Sequence, residues 1–217
     1  MSKTQKLIKL FAIFLAIIII INIFSLLIYS ISLIPGIDIN TNKGLTFEEE
    51  YNNIEKIEID ITSASIIIKE GNELKITTIN MENNFNSKLK NKTLILEEKT
   101  KLFSKKNTNG TITITIPNDY ILDELNADTG AGTVTIDNVE INEVELDHGA
   151  GQIKINNSFF HESDINGGAG EIKITNSKLN NLDLDAGIGK VKIESLLTGY
   201  NQIDCGIGEI ELTLNNQ

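Results

Sequence analysis

Five polar residues recur at a single interval, Asp128, Asp147, Asn166, Asp185 and Asp204, each two positions before a glycine. Asn126, Glu145, Asp164, Asp183 and Gln202 repeat beside them at the same spacing. Stacked as strands, the two columns form an acidic stripe with carboxylates about 5 Å apart. Crowded oxygen ligands of this kind suit a hard cation such as calcium, which makes Asp128, Asp147, Asp185 and Asp204 candidates for cation binding. The simpler reading is structural: an Asp side chain before a glycine turn accepts backbone N–H groups. The calcium β-roll pattern Gly-Gly-x-Gly-x-Asp also breaks down over Gly167 to Ile172, which supply no liganding Asp. No metal centre is therefore expected.

Lys154, Lys173 and Lys192 share a second outward column, with Lys190, Glu171, Glu209 and Glu211 close by. Mixed charge on a strand face keeps it soluble and discourages edge pairing; a site for anionic wall polymers is the alternative. His148 falls in a column of small residues with Thr129, Gly167, Ala186 and Cys205, whereas His161 sits beside Phe159 and Phe160. The two imidazoles share neither a column nor a metal-ligand spacing, so both read as structural. Cys205 reads as a buried, unreactive filler. No nucleophile elbow, zinc-protease motif or phosphate loop is present. A glycan-cleaving β-helix enzyme would need carboxylates facing each other across a cleft of inserted loops. Repeats of equal length leave no material for one, so no catalytic residue and no cofactor is expected.

The elements that hold these residues follow from the glycines. Gly130 and Gly132, Gly149 and Gly151, Gly168 and Gly170, Gly187 and Gly189, and Gly206 and Gly208 form five Gly-x-Gly pairs, nineteen residues apart without an insertion. Aliphatic columns run with them: Ala127, Leu146, Ile165, Leu184 and Ile203; Val134, Ile153, Ile172, Val191 and Ile210; Ile136, Ile155, Ile174, Ile193 and Leu212. Apolar columns alternate with polar ones, the period of a half-buried strand. The inward step widens from two residues to three between Ala131 and Val134, and again between Ile136 and Val139, so each unit reads as two or three short strands separated by corners. One unit cannot bury its apolar column alone, but stacking at ~4.8 Å makes a continuous aliphatic interior. The expectation is an all-β parallel β-solenoid (β-helix) of five nineteen-residue coils over 125–217, with the glycines as structural turn residues that need φ > 0. An antiparallel meander would not demand a constant coil length, and the β-branched alternation excludes a helical solenoid.

Residues 51–124 alternate less regularly and read as irregular β coils and a hairpin that cap the N-terminal end. Ser63-Ala64-Ser65 looks like a degenerate Gly-Ala-Gly corner. In the last coil, Leu212 and Leu214 mark an expected assembly edge, where a second copy or a partner strand pairs.

The chain has 217 residues, 41% hydrophobic and 23% charged, with a net charge of −11 and a single cysteine. One cysteine excludes an internal disulfide framework. Lys3, Lys6 and Lys9 are the only charges before residue 36, so the rest is more acidic still, and nucleic acid is not an expected partner. Residues 11–34 carry no charge. At about 1.5 Å per residue they span a ~30 Å hydrocarbon layer, so they read as one transmembrane α-helix in contact with the lipid bilayer. The lysines before it place the tail 1–10 in the cytoplasm and everything after Pro35 outside. The apolar stretch is longer than that of a cleaved signal peptide. Residues 35–50 read as a polar linker.

The Asp-x-Gly-[Ala/Ile]-Gly units followed by alternating aliphatics, preceded by the Thr113 to Pro117 strand, resemble the putative-adhesin family of bacterial membrane-anchored β-strand-repeat proteins, over about residues 50–217. That resemblance implies an extracytoplasmic β-solenoid and no catalytic residues. The resulting expectation is a non-catalytic binding, adhesin-like or scaffold module at the cell envelope, its partner an envelope protein or polymer. Its alternative is an accessory regulator of envelope-stress signalling that acts through the helix at 11–34.

Overall fold

A computed structural model describes residues 45–81, 84–98 and 110–215, all within the unit Gly44–Gln217. The expected tail at 1–10 and membrane helix at 11–34 lie outside the described residues, within which no helix is long and apolar enough to cross a membrane.

Among the described residues eleven strands form one sheet: β1 (Leu45–Glu50), β2 (Lys56–Gly71), β3 (Lys75–Met81), β4 (Phe85–Lys90), β5 (Thr93–Glu98), β6 (Thr111–Pro117), β7 (Ile121–Asp137), β8 (Glu140–Asn156), β9 (Phe159–Asn180), β10 (Leu182–Thr198) and β11 (Gln202–Leu214). The hydrogen-bonded order is β1-β3-β6-β2-β7-β8-β9-β10-β11, with β5 on β2 and β4 on β5. From β7 to β11 every pairing is parallel. Leu146 pairs with Ala127 on one side and Ile165 on the other, and Leu184 joins Ile165 to Ile203. Like therefore lies on like, and the chain forms a solenoid-like all-β stack.

The interior is built from those columns. Ile155, Ile174 and Ile193 are fully buried, as are Leu146, Ile165 and Leu184. Each such side chain contributes about 1.5–3 kcal/mol by leaving water, and no single coil buries both of its flanks without a neighbour. In the last coil Ile210 is 40% exposed, Leu212 47% and Leu214 55%.

Three details differ from the sequence reading. The strands run unbroken through the glycine pairs, 17 residues in β7, β8 and β10 and 22 in β9, where short strands separated by bends were expected. Ala131, Ala150 and Ala169 are exposed and Ile188 is 58% exposed, so this column faces outward and the inward sequence passes from Thr129 directly to Val134. Residues 45–50, read as linker, form β1, which pairs antiparallel with β3. The Phe47 ring packs at 5.6 Å from that of Phe85, and this contact helps fix the strand.

The N-terminal half completes the stack by other means. β2 lies parallel on β7, and its free edge is shared: Lys56 to Asp60 pair with β5, and Ser65 to Gly71 with β6. β4 folds back antiparallel on β5, and β3 on β6. In β2 the corner is Thr62-Ser63-Ala64, since Ser63 pairs with Ala131 and Ala64 with Gly132. The expected Ser63-Ala64-Ser65 corner is thus out of register by one residue.

Candidate functional site

The glycine corner sets which residues reach the surface. The second glycine of each pair takes a positive φ: 136° at Gly132, 130° at Gly151, 141° at Gly170, 146° at Gly189 and 155° at Gly208. A side chain is strained in that region. A Cβ on Gly151 would also overlap the carbonyl oxygen of Gly132 in the coil before it. The first glycines, Gly130, Gly149, Gly168, Gly187 and Gly206, do not share the positive φ; close approach is what requires them. A Cβ on Gly149 would lie 2.5 Å from the Gly130 carbonyl oxygen. The expected conformational reason therefore holds for one glycine of each pair and a steric one for both.

Beside this corner a trough crosses all five coils. Its floor is Thr129, His148, Gly167, Ala186 and Cys205, and its wall is the column Asp128, Asp147, Asn166, Asp185 and Asp204. These residues line the trough in the two columns of the sequence and do not converge on a point. Among the described residues no group of three or more His, Cys, Asp or Glu could hold a metal ion. Nor do the Asp128, Asp147 and Asp185 carboxylates accept hydrogen bonds from the glycine turns, so their expected capping role is not seen. Asp204 accepts from Gln202 Nε2 at 2.9 Å and Asp164 from Asn166 Nδ2 at 3.0 Å. Crowding has a measurable consequence at Asp164, whose carboxyl is pushed up by partial burial first and then by the charges of Asp183, Asp147 and Asp185.

The next face is mixed. Lys190 pairs with Glu211 at 3.1 Å and Glu209 at 3.3 Å, and Lys192 with Glu194 at 2.8 Å and Glu211 at 3.4 Å. Lys190, then Lys192, hold the Glu211 carboxyl below its usual range. These are exposed pairs, each worth little by itself, and they neutralise the C-terminal part of the lysine ladder.

His161 Nε2 donates to Glu140 Oε1 at 3.0 Å and its ring packs 4.2 Å from that of Phe159, over which the Lys178 ammonium sits at 4.5 Å. His148 is buried, with Nδ1 2.7 Å from Thr129 Oγ1. Burial pushes its pKa down, while the backbone of Gly132 and Ala150 acts weakly in the other direction. Cys205, expected to be buried, is half-buried.

At the second corner, which the sequence placed between Ile136 and Val139, the turn residues and their partners were not foreseen. Asn138, Asn157 and Asn176 take left-handed φ values of 57°, 49° and 51°. Behind them a buried serine ladder links the coils: Ser158 N–H donates to Ser177 Oγ at 3.2 Å and Ser177 N–H to Ser195 Oγ at 3.1 Å. Ser158 Oγ donates to the Asn156 carbonyl, and Ser177 Oγ to that of Thr175. The signal was there, an Asn-Ser pair at 157–158 and again at 176–177. Its third member is hidden, because a register shift between Glu194 and Leu196 puts Ser195 where the strict repeat has Leu196.

The family model described as Toastrack DUF4097 matches residues 54–217. Among solved structures, the chain is similar to a putative cell adhesion protein from Clostridium sporogenes, at 15% identity and a TM-score of 0.44, covering 79% of this chain and 100% of that one. It is also similar to a putative adhesin from Bacteroides fragilis, at 16% identity and a TM-score of 0.39, covering 79% and 97%. No curated protein matches it.

Proposed function

The chain belongs to the Toastrack DUF4097 family, and we propose that it is a membrane-anchored module that displays a rigid five-coil β-solenoid outside the cell and binds a partner at the envelope without catalysis. The observation that carries this reading is the division of the molecule into an uncharged stretch at 11–34, flanked by Lys3, Lys6 and Lys9, and a stack with segregated outer faces. One face is acidic along the trough wall; the next alternates lysine with glutamate. Repeated, uninterrupted coils present such faces as flat ruled arrays, which suits an extended partner better than a small substrate.

On this reading the open last coil, with Leu212 and Leu214 exposed, is where a second copy or a partner strand is received. The test of topology is protease treatment of intact cells that carry the chain with tags at both ends. The proposal expects loss of the C-terminal tag and protection of the N-terminal one; protection of both until lysis contradicts it. Replacing residues 11–34 with an unrelated anchor separates the two roles. Envelope binding survives the replacement in a display module and signalling does not survive it in a regulator. Leu212→Lys lowers the assembly state if the last coil is the contact, and leaves it unchanged if it is not.

A further inference from the structure

Among the described residues His148 is the largest polar side chain in the interior of the stack. In its column of small residues it pairs with Thr129 of β7 on one side and Gly167 of β9 on the other. Its two nitrogens are treated differently. Nδ1 meets Thr129 Oγ1 at 2.7 Å, and that hydroxyl lies 3.2 Å from the Asp147 carbonyl oxygen. Nε2 is buried with no hydrogen-bond partner. It faces the glycine corner, where a cavity of about 10 Å³ between Gly151, Gly167 and Glu171 has room for one water at most.

Either neutral tautomer is satisfied at Nδ1. The Thr129 hydroxyl donates to a bare nitrogen, or accepts from Nδ1–H and gives its own proton to the Asp147 carbonyl. The imidazolium needs an acceptor at both nitrogens; the Gly132 and Ala150 backbone groups near the ring favour it, with burial acting the other way and more strongly, and neither carbonyl meets Nε2 in hydrogen-bond geometry. Its charged neighbours do not supply an acceptor there. Asp128 on β7 and Asp147 on β8 are exposed, Glu171 on β9 is half-buried, and none hydrogen-bonds the ring. β10 contributes only Ala186 and Ile188 to the cavity. We infer that His148 is an acid-sensitive latch: held neutral between β7 and β9 it locks the glycine corner, and protonation of the second nitrogen loosens that corner.

The sign of the effect follows from burial. An unfolded imidazole titrates near 6.5 and this one lower, so between those values the unfolded chain binds more protons. Stability is then complete above about pH 6.5 and falls as the pH drops toward the folded value. The test uses the full chain in detergent micelles, with histidine-selective ¹⁵N NMR, thermal unfolding from pH 7.5 to 5.5, and a His161→Gln variant to assign the second ring. His148 is expected to titrate below about 6.5. The melting temperature of the unaltered chain falls by up to about 4 °C per pH unit in that window, and His148→Thr removes that dependence. Amide exchange at Gly149 to Gly151 accelerates in step with the titration. A midpoint at or above the ordinary imidazole value, or exchange at the corner indifferent to it, overturns the inference even if the variant fails to fold.

Discussion

The carbonyl oxygen of Gly130 stands 2.5 Å from the position a Cβ on Gly149 would take. Each coil thus sets the closest approach of the next through bare backbone, and the obstacle is a carbonyl group that cannot swing aside. Gly149→Ala is expected to cost about 2 kcal/mol or more, which lowers the melting temperature by roughly 4–8 °C. Gly151→Ala adds the strain of its positive φ and should cost more. Calorimetry on the two variants gives the ranking.

Burial separates columns that sequence alternation leaves alike. Ile155 is fully buried, and Ile155→Ala should lose about 2–5 kcal/mol. Ile207, in the column first read as inward, is 69% exposed, and Ile207→Ala should stay within about 0.5 kcal/mol. Denaturant midpoints measured side by side decide between the two assignments.

The serine ladder makes a polar prediction. Ser177→Ala removes the acceptor for the Ser158 N–H and leaves that buried donor unpaired, at a cost of about 1–3 kcal/mol. Ser177→Thr keeps the hydroxyl and should retain most of the stability. Urea unfolding of both variants distinguishes a lost hydrogen bond from lost packing.

Asp164 is raised above the usual carboxylate range, so the folded chain holds its proton more tightly than the unfolded one. Its charge therefore opposes folding at neutral pH, and the opposition fades as the pH falls through the folded value toward 4. Asp164→Asn should raise the melting temperature at pH 7 by under about 2 °C, the site being exposed and screened. That gain should vanish near pH 4, as a pair of melting curves would show.

Much of this architecture was legible because stacking constrains coil length. A parallel ladder tolerates no drift, so the Gly-x-Gly pairs at nineteen residues and the Ile155, Ile174 and Ile193 column announced the stack directly. The errors came where period-two counting loses its reference. Between Thr129 and Val134 four residues in succession leave the core, and alternation counted forward from Thr129 assigns Ala131 inward. The one-residue slip at Thr62-Ser63-Ala64 has the same origin, since small side chains carry no inward mark. The N-terminal layers were opaque for a topological reason. β5 and β6 both lie far from β2 in sequence yet share one of its edges, which no local period encodes. At the trough the acidic columns follow the rise of the stack, and among the described residues no three such groups converge on one ion.

The central claim is that the chain advances by one strand spacing for every nineteen residues. Spin labels at Thr135→Cys and Glu211→Cys, with Cys205→Ser, measure it across four coils, because Thr135 is linked to Glu211 through Lys154, Lys173 and Lys192 in unbroken register. Pulsed electron–electron distance measurement should return a single narrow population near ~20 Å, four spacings of about 4.8 Å. A broad distribution, or a mean beyond about 35 Å, is incompatible with parallel strands at that spacing and would contradict the stack.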